Sequence, residues 1–221
     1  HILPGIDDGA KTIEHTVELI TGLQNAGCKQ LITTPHIMRS VWDNTEEGII
    51  AKFEETKKLL EARGITIPIR AAAEYLIDSA FPDRFKNEKL LTIKDNMVLI
   101  EMSYINPPIQ LFEIIFELQL AGYVPILAHP ERYGFYHKHF NKYEQLKNAG
   151  CFFQINLLST VGYYGEGVFK SAEKLLNAGM VDFTGSDAHH AKHISSLDKR
   201  VLLKDTKPLK RAIANNDTFR F

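Results

Sequence analysis

Histidine and carboxylate side chains recur in this chain directly after short apolar runs. The clearest case is the run Met180 to Phe183, which is followed at once by Asp187, His189 and His190. An isolated Asp-x-His is often only a turn and a helix cap, but here the pattern repeats. The ligand-type residues at the ends of the apolar runs are His1, His36, Glu74, Glu101, His129, Asn156, Asp187 and His189. This repetition indicates that these residues form one functional site.

The side-chain types in this set favour transition-metal chemistry. Mixed imidazole and carboxylate ligands suit Mn²⁺, Zn²⁺ or Fe, whereas Mg²⁺ and Ca²⁺ prefer oxygen alone. The set exceeds the four ligands of one tetrahedral zinc, so the sequence predicts two or three divalent ions. Clustered ions can activate water and polarise a phosphoryl group. Arg132, three residues after His129, is the expected catalytic, substrate-binding partner of a phosphate oxygen, with pairing to a carboxylate as the alternative.

A repeated unit of helix, glycine and strand would position these side chains. The five glycines that end the predicted helices are Gly27, Gly64, Gly122, Gly150 and Gly179. Helical spacing of apolar residues predicts helices over 12–26, 45–63, 109–121, 139–149 and 167–178. Strands are predicted over 31–34, 67–71, 97–100, 124–127, 152–155 and 181–184.

This alternation predicts an α/β fold with a parallel sheet. In a closed β/α barrel the carboxyl ends of all strands meet on one face, which would bring the scattered ligands together. Six strands are visible, and His1 is placed as the end of a seventh whose body lies before the first residue. We therefore predict one barrel domain over residues 1–221.

Composition excludes several classes of function. The net charge of −1 gives no general attraction for nucleic acid, and no apolar run is long enough to cross a membrane. Cys28 and Cys151 are expected to be free thiols in a reducing compartment, which favours a cytoplasmic protein. Neither cysteine has an arginine six positions on, so the chain lacks the Cys-x5-Arg loop of cysteine-based phosphatases. Phosphotyrosine hydrolysis by a cysteine nucleophile is therefore not expected.

The motifs that carry these residues resemble those of a known superfamily. They are "HILPGIDDG", "TPH", "AAAEY", "LIEMSY", "LAHPERY" and "GSDAHH". They are similar to the motifs of the PHP (polymerase and histidinol phosphatase) superfamily, and more narrowly to manganese-dependent bacterial protein-tyrosine phosphatases that regulate capsule and exopolysaccharide synthesis. The resemblance implies a distorted, TIM-like barrel of seven strands with a trinuclear metal centre, manganese being the favoured metal.

The resemblance also implies a division of the ligands among three ions. His1, Glu74 and Asp187 would hold the first ion, and Glu74 would bridge to a second ion held by Glu101 and His129. Asp7, His36 and His189 would hold the third ion. Two alternatives stay open: Asp8 in place of Asp7, and Glu101 as a hydrogen-bond acceptor rather than a ligand. The family's His-x-His pair begins two residues before His1, so one ligand of the first ion is expected outside this sequence.

The implied substrate is phosphotyrosine on the C-terminal tail of a bacterial tyrosine autokinase. His190 is expected to contact the substrate, and His190, His193 and Asp8 are candidates for protonating the leaving phenolate. Two rival functions remain: a phosphoesterase acting on a small phosphomonoester such as histidinol phosphate, and a kinase-binding module without turnover. The sequence pattern does not set the oligomeric state.

Overall fold

The computed structural model describes all 221 residues and has the predicted α/β alternation. Its eight strands are β1 (Leu31–Thr33), β2 (His36–Ile37), β3 (Ile69–Ala71), β4 (Glu74–Leu76), β5 (Met97–Glu101), β6 (Val124–Ala128), β7 (Phe152–Asn156) and β8 (Phe183–Gly185). Its eight α-helices are α1 (Ile13–Asn25), α2 (Glu46–Glu61), α3 (Phe81–Asn87), α4 (Leu111–Leu120), α5 (Asn141–Asn148), α6 (Glu166–Asn177), α7 (Ala191–Leu197) and α8 (Lys207–Asn215).

All strand pairs are parallel. Six strands form one sheet in the order β2-β4-β5-β6-β7-β8, and β1 pairs with β3 in a second sheet. Two further short strands lie just beyond the predicted strands 31–34 and 67–71: β2 follows β1, and β4 follows β3. β1 and β2 are separated at Pro35, which has no N–H to donate to a ladder, although Ala72 and Glu74 still donate to the carbonyls of Thr33 and Pro35. The six predicted strand segments are therefore all present.

The closed seven-stranded barrel is not confirmed. β8 and the β1–β2 segment are the two edges of the arrangement, and no strand of the chain lies between them. A cavity of about 780 Å³ is lined by residues from both edges and by residues of β5, β6 and β7 between them. The sheet is thus curved around a cavity and open along one side.

Capping residues in the sequence set the ends of several helices. Thr12 caps α1, its hydroxyl accepting from the His15 N–H, and Thr45 caps α2 in the same way. All five predicted helix-ending glycines have φ between 70° and 99°, a region that glycine reaches without a Cβ clash. The turn from each helix into the next strand is therefore fixed locally.

The core lies mainly between the sheet and the helices that follow its strands. Tyr75, Ile100, Leu127, Phe153 and Leu175 are among its fully buried members. Complete burial of such a side chain contributes roughly 1.5–3 kcal/mol. This packing makes the strands a rigid support for whatever their ends carry. No helix combines the length and apolar character needed to span a bilayer.

Candidate metal centre

The predicted ligands come together at the carboxyl-terminal end of the sheet. His36 opens β2 and Glu74 opens β4, and these two residues are paired in the sheet register. Glu101 ends β5, His129 follows β6, and Asp187 and His189 follow β8. The side chains of the ligand set are largely buried, so the cluster lies within the protein rather than on its surface.

A first group is formed by His1, Glu74 and Asp187. The Nε2 atom of His1 lies 3.3 Å from Glu74 Oε2 and 3.3 Å from Asp187 Oδ1. The ligand atoms of the three residues all lie within 4.8 Å of one another. This is the set that the family resemblance assigned to the first ion.

A second group shares Glu74 with the first. His36 Nδ1 lies 2.9 Å from Glu101 Oε1 and 3.6 Å from Glu74 Oε2. His129 Nε2 lies 3.2 Å from the other oxygen of Glu74, Oε1, and 3.7 Å from Glu101 Oε2. Each oxygen of Glu74 therefore faces a different set of imidazoles, which is the geometry of a bridging carboxylate.

The third group contains Asp8 and not Asp7. Asp8 Oδ1 lies 3.5 Å from His36 Nε2 and 3.4 Å from His189 Nε2, and His1 completes the group. The ring of His189 stacks on that of His1 with a centroid distance of 3.9 Å. The two open alternatives for the third ion are thus distinguished by geometry, which favours Asp8.

Asp7, the ligand that the family resemblance favoured, is placed differently. Its Oδ2 lies 2.7 Å from His1 Nδ1 and accepts from the His36 N–H, and its Oδ1 accepts from the Gly9 N–H. Both oxygens are thus occupied within the protein. Carboxylates in this position orient a metal-binding imidazole through its second nitrogen, so the geometry makes Asp7 a support for His1.

Two buried donor atoms indicate that a cation fits this cluster. His36 Nδ1 and Glu101 Oε1 are buried and only 2.9 Å apart, yet neither makes a hydrogen bond of normal geometry. Buried polar atoms without partners are costly. Two such atoms that lie close together without a hydrogen bond are expected where both bind the same metal ion. The mixed nitrogen and oxygen set suits a first-row transition metal.

Arg132 lies beside this cluster, on a 3₁₀ turn (Pro130–Arg132) that follows His129. Its Nη1 donates to Asp187 Oδ2 at 2.8 Å, and the Asn156 amide donates to the same oxygen at 2.7 Å. The pairing of Arg132 with a carboxylate, which was the alternative to phosphate binding, is therefore present. Since Nη1 makes the only hydrogen bond of this side chain within the protein, Nε and Nη2 remain free for an anion.

Comparison with known proteins gives the family. A family model described as capsular polysaccharide synthesis, CpsB/CapC, matches residues 1–199. The chain belongs to the CpsB/CapC family. It is 30% identical to the CapC protein of Staphylococcus aureus, over 86% of this chain and 74% of that protein.

Relatives within the CpsB/CapC family are named as phosphatases. The tyrosine-protein phosphatase YwqE of Bacillus subtilis is 28% identical, over 87% of this chain and 76% of its own. A crystal structure from work on YwqE and Streptococcus pneumoniae CpsB, described as metal-dependent tyrosine phosphatases, superposes with a TM-score of 0.82 at 27% identity. That match covers 89% of this chain and 82% of the other.

In this member of the CpsB/CapC family, the charged and hydrogen-bonded neighbours within the cluster shift the pKa values of Glu74 and His36. Burial alone would raise the pKa of Glu74, but hydrogen bonds from His1 and His129 lower that pKa overall. Burial alone would lower the pKa of His36, but contact with Glu101 and the charge of Glu74 raise it to about 9. Glu74 is thus ionised and ready to bind, whereas a metal ion must displace a proton from His36.

His190, the predicted substrate contact, belongs to none of the three groups. Its side chain is exposed, and its ring lies 3.9 Å from that of His193. His193 is buried, and its Nδ1 accepts from the His189 N–H at 3.1 Å. The structure therefore gives His193 a supporting position behind His189, and the role of His190 stays a prediction.

Proposed function

We propose that this protein is a metal-dependent tyrosine phosphatase. The observation that carries the proposal is the convergence of three ligand groups that share Glu74, His1 and His36 at one end of the sheet. The family membership and the names of its relatives support the same activity. Hydrolysis of a phosphate ester would use both this cluster and the adjacent Arg132.

Three divalent ions, with manganese as the first choice, fit the donor groups. His1, Glu74 and Asp187 would hold one ion, Glu74, Glu101 and His129 a second, and Asp8, His36 and His189 the third. When bound, such ions supply a nucleophile derived from water and neutralise charge on the phosphoryl oxygens. The proposal keeps Asp7 as the residue that orients His1.

The side chains of the chain itself would position the substrate. Arg132 would hold phosphoryl oxygens through its free Nε and Nη2 donors, while Asp187, which also accepts from the Asn156 amide, fixes its Nη1 end. A tyrosine leaving group has a pKa of about 10, so its departure needs only modest assistance from an acid. His190, exposed beside His189, is proposed to face the substrate at the rim.

The proposed substrate is phosphotyrosine in the C-terminal tail of a bacterial tyrosine kinase that controls capsule or exopolysaccharide synthesis. The description of the family model as capsular polysaccharide synthesis supports this setting. We place the protein in the cytoplasm because its two cysteines are free, as is usual in a reducing compartment.

The finer description of the fold is also part of the proposal. We infer one domain over residues 1–221 with the character of a distorted seven-stranded PHP barrel. The parallel strand order β2-β4-β5-β6-β7-β8 and the cavity around which this sheet curves support this description. The candidate ligands lie at the carboxyl ends of the strands, which is the face that carries the active site in such barrels.

A substrate panel tests the proposal. Phosphate release would be measured from a tyrosine-phosphorylated kinase-tail peptide, a phosphoserine peptide and histidinol phosphate, with Mn²⁺ present. Turnover of the phosphotyrosine peptide that is lost in Arg132→Ala and His189→Ala is expected. Turnover of histidinol phosphate instead would move the enzyme to small-molecule metabolism. Binding of the peptide without phosphate release would favour a regulatory module.

A further inference from the structure

Two tyrosine rings lie against the guanidinium of Arg132. Its Cζ atom is 4.3 Å from the ring centre of Tyr164 and 4.8 Å from that of Tyr104. Both distances are within the range in which the face of an aromatic ring attracts a cation. Tyr104 follows β5 and Tyr164 follows β7, so distant parts of the chain converge on this one side chain.

The core fixes the Tyr104 ring although 47% of this residue is exposed. The ring stacks on His129 with a centroid distance of 5.6 Å and packs against Tyr133 at 5.8 Å. Tyr133 is fully buried, and its hydroxyl accepts from the N–H of Met102 and donates to the carbonyl of Ala128. The buried Tyr133 side chain therefore holds the backbone at Met102, two residues before Tyr104.

Tyr164 approaches Arg132 from the loop after β7. Its ring meets Tyr163 edge to face with a centroid distance of 5.0 Å. Its hydroxyl is buried near Asn156 but makes no hydrogen bond of normal geometry. The contact with Arg132 is therefore the principal polar contact of this ring.

Arg132 needs such support because one hydrogen bond leaves a long side chain free to pivot. Nη1 is held by Asp187, but the Nε and Nη2 donors make no contact that would set the plane of the guanidinium. Aromatic faces restrict that plane while leaving the donors at its edge available. A planar, oriented fork is the arrangement that binds two oxygens of a phosphate group.

We propose that Tyr104 and Tyr164 are positioning residues that hold the Arg132 guanidinium in the orientation that binds phosphate. The inference rests on the proposed function for the identity of the substrate, and it is separable from that function by experiment. The two rings act through Arg132, so their effect must disappear when Arg132 is absent. A role in packing alone would persist without Arg132.

The test is a double-mutant cycle on phosphate affinity. Binding of inorganic phosphate to the manganese-loaded protein would be measured by calorimetry for Tyr104→Leu and Tyr164→Leu, each alone and combined with Arg132→Ala. Each leucine variant is expected to bind phosphate about tenfold more weakly. In the Arg132→Ala background the same changes are expected to have less than about a twofold effect.

Conservative variants and a distant control variant distinguish loss of the aromatic face from a general loss of stability. Tyr104→Phe and Tyr164→Phe keep the aromatic face, so they are expected to restore phosphate affinity to within about twofold of the parent. Tyr123→Leu removes a ring at the opposite end of β6 and is expected to leave phosphate affinity unchanged. Thermal unfolding of every variant establishes that the compared proteins are folded.

The outcomes are distinct for the inference and for the proposed function. Equal losses with and without Arg132, no loss in the leucine variants, or no phosphate binding by the parent protein would overturn the inference. In parallel, kcat and KM for a phosphotyrosine peptide are expected to show a larger rise in KM than fall in kcat. Coupled phosphate binding without peptide turnover would sustain the positioning role and reject the phosphatase.

Discussion

Asp7 and Asp8 are adjacent in the chain but have different surroundings. Asp7 is buried and its oxygens accept from Gly9 and His36 and contact His1, whereas half of the Asp8 side chain is exposed and its Oδ1 faces His36 and His189. Three of the roughly four acceptor positions of the Asp7 carboxylate are used within the protein. The structure therefore places Asp7 as a support for His1 and Asp8 among the candidate ligands.

We predict different consequences for the two amide substitutions. Asp8→Asn is expected to reduce the bound manganese by one ion per chain, because it removes the charge that faces His36 and His189. Asp7→Asn is expected to keep the ion count at saturation but to weaken metal affinity by about 10- to 100-fold, the usual effect of a lost orienting partner. Elemental analysis and metal titration measure the two quantities.

The isosteric pair is its own control, since both variants carry the same chemical change one residue apart. Loss of an ion in Asp7→Asn, with a full complement in Asp8→Asn, would reverse the assignment of the third group and restore Asp7, the ligand that the family resemblance favoured.

At the residue scale, the sequence located the cluster but could not assign every ligand. His36, Glu74, Glu101 and His129 follow or open strands, and their positions could be read from strand order alone. Asp7 and Asp8 share a loop, so their side-chain directions depend on how residues 5–10 fold back on His1. That information is tertiary and absent from the spacing.

At the scale of elements, α1 and α7 pack unusually closely. A Cβ atom added at Gly22 in α1 would lie 2.2 Å from Cγ2 of Ile194 in α7. α7 also carries His193, whose ring nitrogen accepts from the N–H of His189. The close approach of the two helices thus supports the loop that holds His189, one of the candidate metal ligands.

We predict that Gly22→Ala lowers the stability of the protein. Within an exposed helix, Gly→Ala usually gains about 1 kcal/mol, but here the new methyl group must displace Ile194. A loss of about 1–3 kcal/mol is expected from this overpacking, together with weaker metal binding. Denaturant unfolding of the metal-free protein measures the first effect, and metal titration measures the second.

Gly167→Ala in α6 is the matched control. Its new Cβ would meet only His137, at an ordinary 3.5 Å, so a small gain in stability is expected. If Gly22→Ala proved as stabilising as Gly167→Ala, the close packing of α1 on α7 would be wrong.

The sequence predicted the elements well because their signals are local. Thr12 and Gly27 delimit α1, and every predicted strand except the one over 97–100 follows a helix-ending glycine. The short strands β2 and β4, which lie beyond the predicted strands 31–34 and 67–71, were not anticipated, nor was the open edge at β8. Barrel closure depends on curvature and on contacts between distant strands, which apolar runs do not encode.

At the scale of the whole molecule, metal binding should contribute to folding stability. The buried histidines and carboxylates are brought together only in the folded chain, so ions bind the native state preferentially. At a metal concentration 100 times the dissociation constant, one site adds about 2.7 kcal/mol. Removal of metal with a chelator is therefore expected to lower Tm by several degrees, and Mn²⁺ to restore it.

Differential scanning calorimetry with and without chelator measures this shift. His36→Ala with Glu101→Gln, which removes donors from the second and third groups, is the control and is expected to respond much less to Mn²⁺. An unchanged Tm in the unaltered protein would contradict preferential binding to the folded state.

The thiols are expected to take no part in the reaction. Burial raises the pKa of Cys151 to about 12 and also raises that of Cys28. A thiol with a raised pKa stays protonated at pH 8, and the protonated form is a poor nucleophile. Treatment of the native protein with iodoacetamide at pH 8 is expected to leave phosphatase activity intact, whereas rapid inactivation would point to a cysteine nucleophile.

Hydrolysis of phosphotyrosine by this protein is expected to require the metal cluster at the strand ends. Phosphate release from a phosphotyrosine peptide would be measured as Mn²⁺ is added back, in measured equivalents, to protein stripped by a chelator. We predict no turnover in the stripped protein and a rise that saturates when two to three ions are bound per chain. Full turnover in the stripped protein, or none at saturating Mn²⁺, would show that the cluster is not a metal-dependent phosphatase site.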